Sequence, residues 1–168
     1  MNQNLTLNLL FALNLCVTYT YGQQSNSLKS DETLTEISLT YYNHAARITE
    51  GTWKYTLTEN SIQIKRRIMF SPKDTVVFTQ TLESNPLLEL QTKQFDTLSK
   101  SYTNWCIMLT SGNEYTLNYS IGESHKRSHF HHYYHQVIAN LVIKLNQLLP
   151  EKYQMRYLQA DTKQDCEI

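Results

Sequence analysis

Between Ile37 and Tyr41 the chain alternates apolar and hydroxyl residues, Ile-Ser-Leu-Thr-Tyr. This is the period-two signature of a half-buried strand. The alternation returns in Trp53, Tyr55 and Leu57, set between Lys54, Thr56 and Thr58. A third stretch places Ile62, Ile64, Ile68 and Phe70 on one face and Gln63, Lys65 and Arg67 on the other. Arg66 breaks that inward set, as expected near an edge or a ligand-facing end. Glu59-Asn60 suits a tight turn, because Asn tolerates positive φ. Ser71-Pro72-Lys73-Asp74 is a second turn with Pro at its second position. The β-branched run Thr75–Thr79 supplies a fourth strand. Together these segments predict an antiparallel four-strand meander.

The punctuation then changes. Asn85 is a helix N-cap and Pro86 a first helical residue, where its missing N–H costs nothing. Leu87, Leu88, Gln91, Phe95 and Leu98 recur at helical spacing and predict a helix over 86–99. Strands are expected again at Asn104–Thr110 and Glu114–Ser120, joined as a β-hairpin through Ser111-Gly112-Asn113. Phe130, Tyr134, Val137, Ile138, Leu141, Leu145, Leu148 and Leu149 then mark an amphipathic C-terminal helix. Ser128 is its expected N-cap, Lys144 lies on its solvent side and Pro150 ends it. Tyr153–Tyr157 has the character of a short strand. The order implies an α+β domain with an antiparallel sheet, in which helices segregated to one face form a two-layer sandwich. No βαβ unit is indicated, so nucleotide binding at a topological switch point has no basis.

Ahead of this domain runs the apolar block Leu5–Val17, of signal-peptide length. Thr20 and Gly22 occupy the small-residue positions of a cleavage site before Gln23. The expected organisation is a signal peptide over 1–22, a polar linker over 23–33, one domain over 34–158 and a polar tail over 159–168. The block lacks a preceding Lys or Arg and is interrupted by Asn8 and Asn14. A buried N-terminal helix is therefore the alternative, and acylation at Cys16 is disfavoured by the bulky Leu15. The Gln-initiated terminus and Asn/Thr/Tyr-rich strands resemble, in composition, small exported proteins of Bacteroidota-type genomes, a likeness that implies no activity. A secreted or periplasmic location is expected. There, Cys106 and Cys166 could form a bridge or be two unrelated thiols. The chain has no C-x-x-C motif.

Composition narrows the function. Fifteen basic and fifteen acidic residues cancel, which argues against a nucleic-acid partner. A hydrophobic fraction of 40% with 11% aromatics argues against extensive disorder. No stretch beyond the signal is long and apolar enough to span a membrane as a helix. The most concentrated chemistry lies between His125 and His135, which includes His129, His131 and His132. On a helix, His131 and His135 would sit one turn apart and could share a metal such as zinc, with His132 or His129 assisting. The competing reading is a solvated helix start, where the helix dipole would lower the histidine pKa values. Twelve tyrosines, among them Tyr41, Tyr42, Tyr115, Tyr119, Tyr133 and Tyr134, could form a binding platform or simply core. Lys65-Arg66-Arg67 would split between strand faces and leave no continuous basic stripe. No G-x-S-x-G elbow, Walker loop or metalloprotease H-E-x-x-H occurs. The residues point to a non-catalytic module binding a protein or other surface ligand, with a metal-binding protein as the alternative.

Overall fold

A computed structural model of the chain describes residues 33–43, 51–68, 70–104 and 113–159. The expected signal peptide, the linker before Thr33, His44, Cys106, Cys166 and the expected strand beyond Asn104 lie outside the described residues. Among the described residues there are seven strands: β1 (Leu34–Asn43), β2 (Thr52–Thr58), β3 (Ser61–Arg67), β4 (Thr75–Thr81), β5 (Ser101–Thr103), β6 (Asn113–Ile121) and β7 (Ser124–His131). The same residues include the α-helices α1 (Thr92–Asp96) and α2 (Gln136–Leu148).

The strands form one sheet in the order β4-β3-β2-β1-β6-β7-β5. The first four pair with their sequence neighbours in antiparallel fashion, as the alternation predicts. On the other flank of β1, β6 and β7 continue antiparallel, but β5 runs parallel to β7. The sheet is therefore mixed, not wholly antiparallel.

Register explains the core. Leu39 lies between Tyr55 on β2 and Leu117 on β6, and Ile37 between Leu57 and Tyr119. Ile64 faces Tyr55 on one side and Phe78 on the other. Helix α2 adds Val137, Ile138, Leu141, Val142 and Leu145 to the same buried cluster. Each such side chain, fully buried, stabilises the fold by roughly 1.5–3 kcal/mol relative to exposure.

Several elements differ from the sequence pattern. The helix expected over 86–99 is broken into a 3-10 turn, Pro86–Glu89, and the short α1. Asn85 caps the first piece as expected, its side chain accepting from the Leu87 N–H at 2.9 Å. Leu90 and Gln91 between the pieces are extended. A straight 14-residue helix would be about 21 Å long. The break lets Leu87 and Phe95, both buried, enter the core separately, with Phe95 tilted against Tyr119. Ile68 and Phe70 do not continue the inward set of β3, which ends at Arg67. Phe70 sits in the β3–β4 connection with φ of 68° and is 86% exposed.

The largest revision lies before α2. Residues 124–131, expected to run into a helix capped by Ser128, form β7 instead. Gly122 and Glu123 close a two-residue turn in which Gly122 takes φ of 55°, so Ile121 and Ser124 face each other across a hairpin. Helix α2 starts at Gln136 with His135 as its N-cap. After Pro150 the chain is not a strand but a 3-10 turn, Glu151–Tyr153, followed by an irregular segment. Among the described residues no helix is long and apolar enough to cross a membrane.

Candidate functional site

Because β7 is a strand, His125, His129 and His131 fall on one face of the sheet, and Ser128 and Phe130 on the other. Each of these histidines stands opposite a polar residue of β6. His125 Nδ1 is 2.8 Å from Ser120 Oγ, and His129 Nδ1 is 3.2 Å from Thr116 Oγ1. His131 Nε2 is 3.9 Å from Glu114 Oε1. His132 follows with φ of 49°, its ring edge-on to that of His131 at 4.5 Å between centroids.

His135 belongs elsewhere. Its ring packs against Tyr102 and Phe130, at 4.8 and 5.6 Å between centroids, on the apolar side of the sheet. The helical spacing that would aim His131 and His135 at one metal is thus absent, while His131 lies against His132 and shares a strand face with His129. Among the described residues no group of three or more His, Cys, Asp or Glu side chains converges to hold a metal ion.

The face carrying these histidines is polar across the sheet. In one row Lys65, Lys54, Thr40, Thr116 and His129 stand side by side. In the next, Gln63, Thr56, Ser38, Asn118 and Arg127 do the same. Lys65 and Lys54 oppose each other as like charges. Asp74 lies close to both, and its carboxyl is held below the usual range first by its hydrogen bond from Arg67 Nε at 2.6 Å. Desolvation opposes that shift, and the charges of Arg67, Lys65 and Lys54 add to it.

The Ser120–His125 contact has the spacing of a nucleophile and its base. Across the sheet, however, the order is Glu36, Ser120, His125, with the serine in the middle. Activation of a serine needs the histidine between serine and carboxylate. The arrangement supports a hydrogen-bonded surface, not a hydrolytic triad.

The tyrosines mostly point the other way. Tyr55, Tyr115, Tyr119 and Tyr157 are buried, and Tyr119 donates its hydroxyl to the Phe95 carbonyl at 2.6 Å. Burial, with Tyr41 adding, pushes the Tyr55 phenol up to about 12. Burial likewise raises the Tyr157 phenol, whose oxygen accepts from His135 N–H at 2.8 Å and donates to the Tyr133 carbonyl at 3.0 Å. The platform reading therefore gives way to core for these rings. The sequence reading missed Ser120, Thr116 and Glu114 as histidine partners. The signal was Gly122-Glu123, a two-residue turn after an alternating strand.

His135 gives a pH prediction. Its Nδ1 accepts from the Val137 N–H at 3.2 Å, so the cap requires that nitrogen unprotonated. Burial lowers its pKa from 6.5. A lowered histidine pKa contributes stability above the unfolded value and loses it as pH falls through the folded one. The wild type is expected to lose stability below about pH 6.5. His135→Asn retains a capping acceptor and does not titrate. Its loss of stability between about pH 7.5 and about pH 5 should be smaller, as read by urea unfolding. Identical pH profiles would remove His135 as a cause.

No protein-family model matches the sequence, and no curated protein matches it significantly.

Proposed function

We propose that the protein is an exported, non-catalytic module, a two-layer α+β sandwich that binds a protein or other surface ligand through the polar face of its sheet. The observation that supports this most is the row structure of that face. Threonine, lysine, asparagine, arginine and histidine side chains from β3, β2, β1, β6 and β7 align in successive rows. The described helical residues that are buried share the core with the opposite, apolar face. Such a surface offers many hydrogen-bond donors and acceptors on a rigid sheet. The apolar block Leu5–Val17 supports export.

The test uses arrays of peptides and polysaccharides probed with three proteins. Thr40→Arg places a long charged side chain in the middle of the polar face, and Ile143→Arg places one on the exposed side of α2. A ligand held by wild type and Ile143→Arg but weakened at least about tenfold by Thr40→Arg supports the reading. A ligand lost only with Ile143→Arg moves the site to the helix and refutes it.

A second reading, binding of zinc or another transition metal, draws on the sharing of one strand face by His129 and His131, with His132 against His131. Neutral imidazoles suit such ions. Zinc titration of wild type and His129→Ala/His131→Ala by calorimetry tests it. Heat of binding that disappears in the double variant supports a metal role, and no heat in wild type refutes it.

A further inference from the structure

A second surface, away from the polar face, lies where the C-terminal segment passes beneath the ends of β1, β2 and β6. There an open cleft of about 220 Å³ is walled by Tyr41, Trp53, Tyr55, Tyr115 and Tyr153 and by residues 152–156 of the chain. Tyr41 and Tyr115 are stacked, with ring centroids 5.0 Å apart. The Tyr41 hydroxyl donates to Asn113 Oδ1 at 3.2 Å.

The wall formed by the C-terminal segment is pinned. Asn146, near the end of α2, donates to the Met155 carbonyl at 2.8 Å and accepts the Met155 N–H at 2.9 Å. The Gln154 side chain donates to the Asn146 and Leu149 carbonyls, and so satisfies the end of the helix. Tyr153 donates its hydroxyl to the Val77 carbonyl at 2.9 Å. Both sides of the cleft are thus tied to regular elements, and a ligand need not order them on binding.

The described cleft lining carries basic side chains. Among the described residues that line it, the charged ones are Lys152 and Arg156. Arg66, opposite Trp53 in the β2–β3 ladder, holds its guanidinium 5.0 Å from the Trp53 ring centroid. The Lys152 ammonium is 4.8 Å from the Tyr153 ring centroid. Two cations therefore already rest on aromatic faces beside the opening. The buried Tyr55 phenol stays protonated at neutral pH and brings no opposing charge.

We infer that this cleft binds a small anionic ligand consisting of one six-membered ring that bears a carboxylate. The ring would lie against the aromatic walls, and the carboxylate would face Lys152 and Arg156. Drug-sized ligands need pockets of roughly 300–1,000 Å³, so a cleft smaller than these fits a single ring. Two sources share the chemistry, a sugar acid stacking through its C–H face and an aromatic acid stacking through its π face.

The test is calorimetric titration of the full chain with D-glucuronate and with benzoate, using glucose and benzyl alcohol as neutral counterparts. At least one carboxylate should bind with a Kd of roughly millimolar or tighter, and its neutral counterpart at least about tenfold more weakly. Which acid binds identifies the source. Lys152→Glu/Arg156→Glu should weaken binding at least about tenfold. Both of its positions are exposed, and an unchanged urea unfolding midpoint checks that the fold is kept. Arg127→Glu, on the polar sheet face, should leave binding unchanged, which separates this cleft from the surface proposed above. The inference is overturned if neither acid binds wild type, if the neutral counterparts bind equally, or if the double variant binds as wild type does.

Discussion

Gly51→Ala is expected to destabilise the protein by about 3 kcal/mol or more, a large effect for one methyl group. Gly51 immediately precedes β2 and takes φ of +64°. For an L residue other than glycine that conformation alone costs roughly 1–2 kcal/mol. The added Cβ would lie 2.0 Å from the Arg67 carbonyl oxygen, 2.8 Å from its carbon and 2.9 Å from the Ile68 Cα. All three are backbone atoms at the end of β3, so no flexible side chain can swing aside. The strain must instead open the β2–β3 ladder where Thr52 faces Arg67 and Trp53 faces Arg66. Urea unfolding of the variant checks the magnitude. A change within about 0.5 kcal/mol would show that the two chain segments do not approach this closely. The same substitution should perturb the aromatic cleft, because Trp53 is two residues away.

Leu141→Ala should cost about 2–5 kcal/mol through lost burial and the cavity left behind. Leu141 is 0% exposed, in the middle of the buried stripe of α2. The matched control is Ile143→Ala, where the side chain is 58% exposed and the expected cost is about 0.5 kcal/mol or less. Lys144, on the solvent side by sequence pattern, is not that control. Its side chain is only 15% exposed, and its Nζ lies 2.5 Å from Glu89 Oε2, which links α2 to the 3-10 turn at Pro86–Glu89. Equal costs at Leu141 and Ile143 would mean that α2 presents a different face to the sheet.

The polar face of the sheet was legible wherever one side of a strand is apolar. Ile37, Leu39, Tyr55, Leu57, Ile62 and Ile64 announce β1, β2 and β3, because a residue slip would turn every one of them to water. The same reasoning marks β6 through Tyr115, Leu117 and Tyr119. It fails for β7, where Phe130 is the one large apolar residue between Ser124 and His131. With little apolar alternation, the strong helical stripe that follows was extended backwards over it. The candidate site suffered with it. His129 and His131 belong to a strand ladder whose partners, Thr116 and Glu114, lie 13 and 17 positions earlier.

By itself the sequence determined the elements that bury a regular apolar stripe: the meander, β6 and the body of α2 (Gln136–Leu148), though not where that helix starts. Those follow from local periodicity, since water excludes the same face whatever the neighbours are. Tertiary structure alone decided the parallel placement of β5 on β7, the break between Pro86–Glu89 and α1, and the placement of the Arg66 guanidinium over the Trp53 ring. Each of these depends on partners distant in sequence. Tyr102 stacks on Phe130, Leu87 and Phe95 compete for separate parts of one core, and Arg66 meets Trp53 only once β2 and β3 pair. Tertiary structure likewise made His135 a cap held by Tyr157 from 22 residues away, and so parted it from the histidines beside which it is written. A hydrogen bond or ring contact between remote segments exists only after the chain has paid the entropy of bringing them together, and no local pattern records it.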